Sequence, residues 1–284
     1  MNKEQRNIAL VVNPTAENEK ALRVANLITR QLDTRQHRYS LFINAWPASL
    51  DGFTEAWIAG GDGTMNWFIN QYPNISIPMA LFGGGSGNDF HWMLYGNISV
   101  EVQVEKVLQS FPVAVDAGRC NNKLFLNGVG IGFDGAIVKD LLGRKKLAGK
   151  GSYLLSILKN IIGYHEKHCN IQLPEETISQ HCFMISIANA RRYGGGFMVA
   201  PKALLSDGLL DINIVGKIPP LKRIKYLPVI EKGEHLELPF IQYRQAKHLT
   251  ITCDEKLHRH IDGEYLFEDR FEISILPGRF SFLY

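Results

Sequence analysis

Ile8 to Val12 is a short apolar run that stops at Asn13-Pro14. A run that is apolar on both faces and ends in a turn fits a buried parallel strand. Residues 18–32 follow, with Ala21, Val24, Ala25, Ile28 and Leu32 at helical spacing along one face. Tyr39–Ile43 and Ala56–Ala59 are predicted as the second and third strands, the latter ending in Gly60-Gly61. Helix-forming sequence resumes at Thr64, and Ile77–Phe82 is a fourth strand that also ends in glycines. A helix over Val100–Phe111 carries Val104, Val107 and Leu108. This alternation predicts a doubly wound, mostly parallel sheet.

From Val113 onward the pattern changes to short β-like runs: Val113–Val115, Lys123–Asn127, Ile185–Ala188, Leu210–Val215, His248–Cys253 and Phe271–Leu276. One helical stretch, Ser152–His165, interrupts them. Short strands separated by turns predict an antiparallel sandwich or barrel, and the sandwich is taken for the fold class. The fold class expected is therefore α/β followed by all-β. The boundary falls near residue 114, giving domains 1–114 and 115–278.

The length, 284 residues, fits two modest domains. With 45% hydrophobic and 21% charged residues the chain buries a core and is not disordered. A net charge of +3 is too balanced for a general nucleic-acid binder. No stretch approaches the roughly 20 apolar residues of a membrane-spanning helix. The start, MNKEQRNIALVV, lacks a long apolar region before a cleavage site and reads as unprocessed. Cys120, Cys169, Cys182 and Cys253 are scattered, which argues against a disulfide framework or zinc site and for a reducing cytoplasm.

Glycine-rich turns carry the chemical signal. Gly60-Gly61-Asp62-Gly63-Thr64-Met65-Asn66 sits where a strand ends and a helix begins. Glycines there let backbone N–H groups approach an anion, and a helix N-terminus favours negative charge. Gly83-Gly84-Gly85-Ser86-Gly87-Asn88-Asp89-Phe90 follows the next strand, so both loops open at the carboxyl edge of one sheet. Neither matches GxxxxGK[ST]. Gly130-Ile131-Gly132-Phe133-Asp134-Gly135 fits GxGxxG, but it lies in the β-rich half without a clear βαβ unit, so dinucleotide binding is not expected there.

Together these motifs resemble the diacylglycerol kinase catalytic-domain family, in particular its bacterial soluble lipid kinases and their sphingosine-kinase relatives. The resemblance runs nearly end to end. It rests on Asn13-Pro14, GGDGTMN at 60–66, GGGSGNDF at 83–90, VDAGR at 115–119 and FLNGVGIGFDG at 125–135. It also rests on IANARRYGGGFMVAPKALLSDGLLDINIV at 187–215 and IDGE at 261–264. GGDGT alone is shared with NAD kinases and phosphofructokinase-like folds; the combination is specific to the lipid-kinase branch. The resemblance implies ATP-dependent phosphotransfer to a lipid hydroxyl, Mg²⁺, a cleft between an N-terminal nucleotide domain and a C-terminal β-rich domain, and a final strand, 279–284, returning to the first domain. It implies nucleotide contacts at Asn13, Asn44, Gly60, Gly61, Asp62, Gly63, Thr64, Met65, Asn66 and Ser86. Glu264 matches the general base. Asp207 matches a Mg²⁺ position completed by carbonyls near Leu204 and Leu209. Asp62 and Asp89 are the further carboxylates expected to face phosphates.

Two departures stand out: Ser86 replaces the usual Thr, and the segment 44–55, broken by Pro47 and Gly52, is short for a crossover helix. Read without the resemblance, Asp262-Gly263 and Asp207-Gly208 are also hairpin signals, and Asp62 and Asp89 also suit a first helical turn. Asp134 suits a turn or a site. Lys139, Arg144, Lys145, Lys146 and Lys150 form either a solvated loop or a patch for an anionic membrane, with Tyr153, Leu154, Ile157, Leu158, Ile161 and Ile162 beside it. For that helix the ordinary reading is packing on the sandwich. His165-Glu166-Lys167-His168-Cys169 is not a zinc motif and reads as a solvated helix end. The leading expectation is a cytoplasmic lipid kinase acting at the inner membrane surface with Mg²⁺-ATP. The alternatives are a kinase of a soluble metabolite such as NAD, and a nucleotide-binding regulatory protein without catalysis.

Overall fold

The computed structural model describes residues 6–17, 19–143 and 151–284. It divides into two compact units, 1–115 with 278–284, and 116–277.

In the first unit, β1 (Asn7–Val12), β2 (Arg38–Ile43), β3 (Glu55–Gly60) and β4 (Met79–Gly83) pair in parallel in the order β2-β1-β3-β4. Strands β1 and β3 are buried almost throughout because helices cover both faces, which is why their sequences are continuously apolar. The helices are α1 (Lys20–Thr34), α2 (Asp62–Gln71), α3 (Asp89–Tyr95) and α4 (Val100–Gln109). Helix α1 buries Ala21, Val24, Ala25, Ile28 and Leu32, the stripe expected from the sequence. Ser99 caps α4 by accepting the Val102 amide. The β2–β3 connection carries no helix. Pro47 and Gly52 prevent one, and Leu50 and the Trp46 ring anchor the segment instead, Trp46 lying 4.4 Å from Trp67 and 5.6 Å from Phe68.

Strand β5 (Pro112–Cys120) leads into the second unit, where its end pairs with β6 (Lys123–Phe125). There follow β7 (Gly128–Gly132), α5 (Phe133–Leu141), α6 (Gly151–Asn160), β8 (Lys167–Gln172), β9 (Thr177–Cys182) and β10 (Met184–Ala188). The chain continues with β11 (Leu210–Val215), α7 (Pro220–Glu231), β12 (Ile241–Ala246), β13 (His248–Ile261) and β14 (Glu264–Leu283). The order β12-β11-β10-β7-β13-β14 is antiparallel throughout, with β8 on β13 and β9 on β8. Val129, Ile131, Ile187, Ile212, Ile251 and Phe271 form its main core. The end of β14 enters the first unit, where Phe282 pairs in parallel with Met79 and its ring lies 5.3 Å from Phe90.

The expected helix over Ser152–His165 is shorter, ending at Asn160, and His165–Cys169 is no helix end. Glu166 pairs with the buried Arg223 at 2.7 Å, and the chain enters β8. Arg144, Lys145, Lys146 and Lys150 of the basic segment lie outside the described residues, as does the Tyr153 side chain.

Candidate functional site

Strands β3 and β4 end side by side, and each delivers a glycine loop. The loops touch backbone to backbone: Gly84 N–H donates to Gly60 O at 2.8 Å. A Cβ on Gly61 would lie 2.9 Å from Gly85 Cα, and one on Gly85 would lie 2.5 Å from Gly61 Cα. Glycine is therefore required at both positions by close approach. Asn88, at φ +53°, accepts the Gly85 amide at 2.8 Å and donates back to its carbonyl, closing the second loop on itself.

Asp62 opens α2, and its carboxylate reaches the other loop. Its Oδ2 accepts the Asp89 amide at 3.1 Å and its Oδ1 accepts the Phe90 amide at 2.9 Å. Asp62 thus ties the two loops together and caps the first turn of α3. Asn13 Nδ2 donates to Thr64 Oγ1 at 2.9 Å, while Asn13 Oδ1 accepts from the Thr15 hydroxyl and amide. That bond fills an acceptor position on the Thr64 oxygen and leaves its O–H to donate elsewhere. Gly60 ends β3, Gly63 is exposed and Ser86 is half-exposed. Met65 and Asn66 are buried, so Met65 offers only its backbone. Asp89 is buried at the start of α3. Asn44, at φ +62°, is exposed just beyond β2. Asn13, Gly60–Asn66 and Ser86–Asp89 therefore belong to one sheet edge.

The second unit gathers the remaining motifs on one buried hydrogen-bond hub. Asp262, at φ +46°, precedes Glu264 in the β13–β14 turn. Its carboxylate accepts the amides of Leu126, Asn127 and Gly128 at 2.8, 3.0 and 2.8 Å. Asn189, fully buried, donates to Leu126 O and Asp116 O, both at 3.0 Å. Asp116, also buried, accepts the Gly208 amide at 2.7 Å, and its own amide donates to Leu205 O. The IDGE, FLNG, IANA, VDAG and SDGL motifs are thus one structure. Glu264 itself is exposed as the first residue of β14. Leu204 and Asp207 are exposed, and Asp207 Oδ1 accepts the Leu209 amide at 3.0 Å. Sequence reasoning quotes Asp116 and Asn189 within motifs without a role, and gives Asp262 a turn alone. Asp262-Gly263 is a hairpin turn, as its dipeptide suggested, while its carboxylate bonds to residues more than a hundred positions away.

The GxGxxG segment does pass from a strand, β7, into a helix, α5. However, β7 is antiparallel to both neighbours, so there is no βαβ unit. Its glycines serve packing instead. A Cβ on Gly130 would lie 2.3 Å from Asp134 Oδ2 and 2.4 Å from His260 Nε2, two buried groups that pair at 3.0 Å. Asp134 lines an apolar cavity of about 80 Å³ beside α5, α6 and α7. Phe133, Ile157, Ile161, Phe183 and Tyr193 are among its other walls. Burial, helped by the Asp134 carboxylate, raises the Tyr193 phenol well above its ordinary pKa. His235 closes another side, its Nε2 3.1 Å from Val199 O, and burial lowers its pKa. Helix α6 and the turn after it pack by Ile157 and Ile161 and leave Leu154, Leu155, Leu158 and Ile162 exposed. Among the described residues, no cluster of three or more His, Cys, Asp or Glu side chains could hold a metal ion.

Comparison with known proteins adds an independent line. The diacylglycerol kinase catalytic domain matches residues 7–120, and the YegS C-terminal NAD kinase beta sandwich-like domain matches residues 127–284. A Chromohalobacter salexigens protein named "Probable lipid kinase YegS-like" is 28% identical over 238 residues, covering 81% of this chain and 76% of that one. A Mycobacterium tuberculosis protein named diacylglycerol kinase is 27% identical over 235 residues, covering 80% and 75%. A crystal structure of a diacylglycerol kinase from Bacillus anthracis superposes with a TM-score of 0.76 at 19% identity, over 100% of this chain and 98% of that one. Yeast NADH kinase shares the fold more distantly, with a TM-score of 0.55 at 10% identity over 99% and 83%.

Proposed function

The chain belongs to the lipid-kinase family in which a diacylglycerol kinase catalytic domain precedes a YegS C-terminal NAD kinase beta sandwich-like domain, and from that premise we propose that it transfers the γ-phosphate of ATP to the hydroxyl of diacylglycerol or a related long-chain lipid alcohol. The observation that carries this reading is the pair of glycine loops packed together at the ends of β3 and β4. Parallel α/β sheets bind ligands at that edge, and phosphates suit glycine-lined backbone and a helix N-terminus. Asp62 holds the loops together, the Thr64 hydroxyl donates to a phosphate oxygen, and Ser86 offers a second hydroxyl.

Phosphoryl transfer asks for positioned oxygens, charge neutralisation and an oriented nucleophile. Glu264 is the proposed general base, accepting the lipid hydroxyl proton, while Asp262 fixes the turn that presents it. Mg²⁺ prefers hard oxygen ligands. Asp207 fits that need, because Oδ1 is taken by the Leu209 amide and Oδ2 remains for a cation, joined by the carbonyls of Leu204 and Leu209. Bound there, Mg²⁺ would supply positive charge and order the loop. The apolar cavity supports a lipid acceptor, since its walls are aliphatic and aromatic. The exposed apolar face of α6 supports action at a membrane surface, which an inner-membrane lipid acceptor requires.

The test is transfer of label from γ-labelled ATP, with Mg²⁺, to mixed micelles each carrying one candidate lipid. Label in the organic phase that Glu264→Ala abolishes, with ATP binding retained, is expected. Normal ATP binding with no transfer to any lipid refutes the lipid assignment.

A further inference from the structure

Three of the four cysteines, distant in sequence, meet at one place in the second unit. Cys169 on β8 and Cys253 on β13 are directly opposite one another in the antiparallel register, with their sulfurs 3.2 Å apart. Cys182, at the end of β9, packs into the same cluster. All four cysteines are free thiols. Directly opposed residues of an antiparallel pair have Cα atoms about 4.5–5.5 Å apart. That range lies inside the roughly 4.4–6.8 Å that a disulfide spans. The sulfurs would close from 3.2 Å to the bond length of about 2.05 Å.

We propose that Cys169 and Cys253 form a reversible cross-strand disulfide, a redox modification site separate from the phosphotransfer residues. The two sulfurs differ in access. Cys169 is buried, whereas Cys253 is half-buried and begins a bulge, Cys253–Lys256, where the β13–β14 register shifts. Asp254, Glu255 and Lys256 are exposed beside it. Cys253 is therefore the sulfur that meets an oxidant. The Cys182 hydrogen bond lowers the Cys169 thiol, but the Cys253 hydrogen bond and burial outweigh it, and the Cys169 hydrogen bond and then burial raise the Cys182 thiol, so both lie far above the ordinary value.

With hydrogen peroxide as oxidant, the Cys253 thiolate attacks one peroxide oxygen. The O–O bond breaks, hydroxide leaves and a sulfenic acid forms. Cys169 then attacks the Cys253 sulfur, the S–S bond forms, and water leaves with the proton that Cys169 gives up. Two thiols and one peroxide become one disulfide and two waters. A dithiol reductant reverses the step by thiol–disulfide exchange. The cross-link would close a ring over residues 169–253. That ring limits the freedom of the unfolded chain, so oxidation raises the thermal midpoint of the second unit.

The wild-type protein is exposed to hydrogen peroxide, its remaining thiols are alkylated, and it is digested without reduction for mass spectrometry. The expected product is a Cys169 peptide joined to a Cys253 peptide, lighter by two hydrogens than the pair and separated by a dithiol. The thermal midpoint should rise on oxidation and return on reduction. Cys182→Ser should keep the link, and Cys253→Ser should lose it. Alkylation of all four cysteines after peroxide would overturn the proposal. So would a Cys169–Cys182 link in its place, or Cys253 driven to sulfinic acid while Cys169 stays alkylatable.

Discussion

Replacing Asp262 tests the argument that its carboxylate is a structural anchor. Its oxygens accept three buried amides, those of Leu126, Asn127 and Gly128. A hydrogen bond to a charged group contributes about 1.5–3 kcal/mol, so a naive sum for three is about 4.5–9 kcal/mol. They share one carboxylate and are not additive, and about 4 kcal/mol is the reasoned loss for removing the side chain. In Asp262→Asn the amide oxygen can still serve Asn127 and Gly128, but its NH₂ would face the Leu126 N–H. That change should lose about 2 kcal/mol. Asn also tolerates the positive φ, so it isolates the carboxylate from the backbone. Asp262→Ala adds a left-handed penalty of about 1–2 kcal/mol, which Asp262→Gly removes. At about 2–4 °C per kcal/mol for a unit this size, Asn should lower the melting temperature by about 4–8 °C. Calorimetry gives the shift, and amide exchange at Leu126–Gly128 should quicken with it. A shift under about 1 °C for Asn, with unchanged exchange at those amides, refutes the anchor.

Phe282→Ala should destabilise the first unit by about 3–5 kcal/mol in urea unfolding, because the ring is fully buried against Phe90. Gly85→Ala should cost about 1–3 kcal/mol and weaken ATP binding by calorimetric titration, because its Cβ would press on the Gly61 backbone. The Glu166 carboxyl lies below its ordinary value of 4.5: burial raises it, but backbone amides at Glu166 and Ile218 and the Arg223 guanidinium outweigh that. The unfolded chain therefore takes up this proton first, so the pair stabilises fully above pH 4.5 and fades as pH falls below it. Glu166→Gln should lose stability near neutrality, with Arg223 left unpaired, and the gap to wild type should narrow below pH 4.5 in denaturation series.

What was legible in the chain was what local pattern encodes. Strands β1 and β3 are apolar on both faces because helices cover both, and α1 shows its buried stripe directly. The two glycine loops announce themselves because close approach demands glycine. The elements missed lack a local signal. Strand β7, GVGIG, has no alternation, and its burial comes entirely from β10 and β13. Strands β8 and β9 are rich in polar residues, and α7 has a proline inside it. Helix α3, only seven residues long, is signalled only at its start, by Asp89 as a first-turn residue. The hub around Asp262 and Asn189 was illegible for a different reason, because its bonds join positions more than 60 residues apart. The Asp62 carboxylate suggested a phosphate or metal partner; it is engaged by the amides of the neighbouring loop, which periodicity could not reveal.

Strand β14 has a consequence for the order in which the protein is made. Its last residues bury Phe280, Phe282 and Leu283 in the first unit, and Tyr95 donates its hydroxyl proton to Leu283 O at 2.6 Å. A ribosome translating about 5–20 residues per second spends roughly 8–32 s on the intervening residues before that strand exists. During that interval β4 has an open edge and Phe90 lacks its ring partner, an invitation to wrong pairing or to a holding chaperone. The unit encoded first is thus completed last, and a ribosome stalled shortly before Gly278 would release a chain whose nucleotide-loop unit is unfinished although most of its sequence is present.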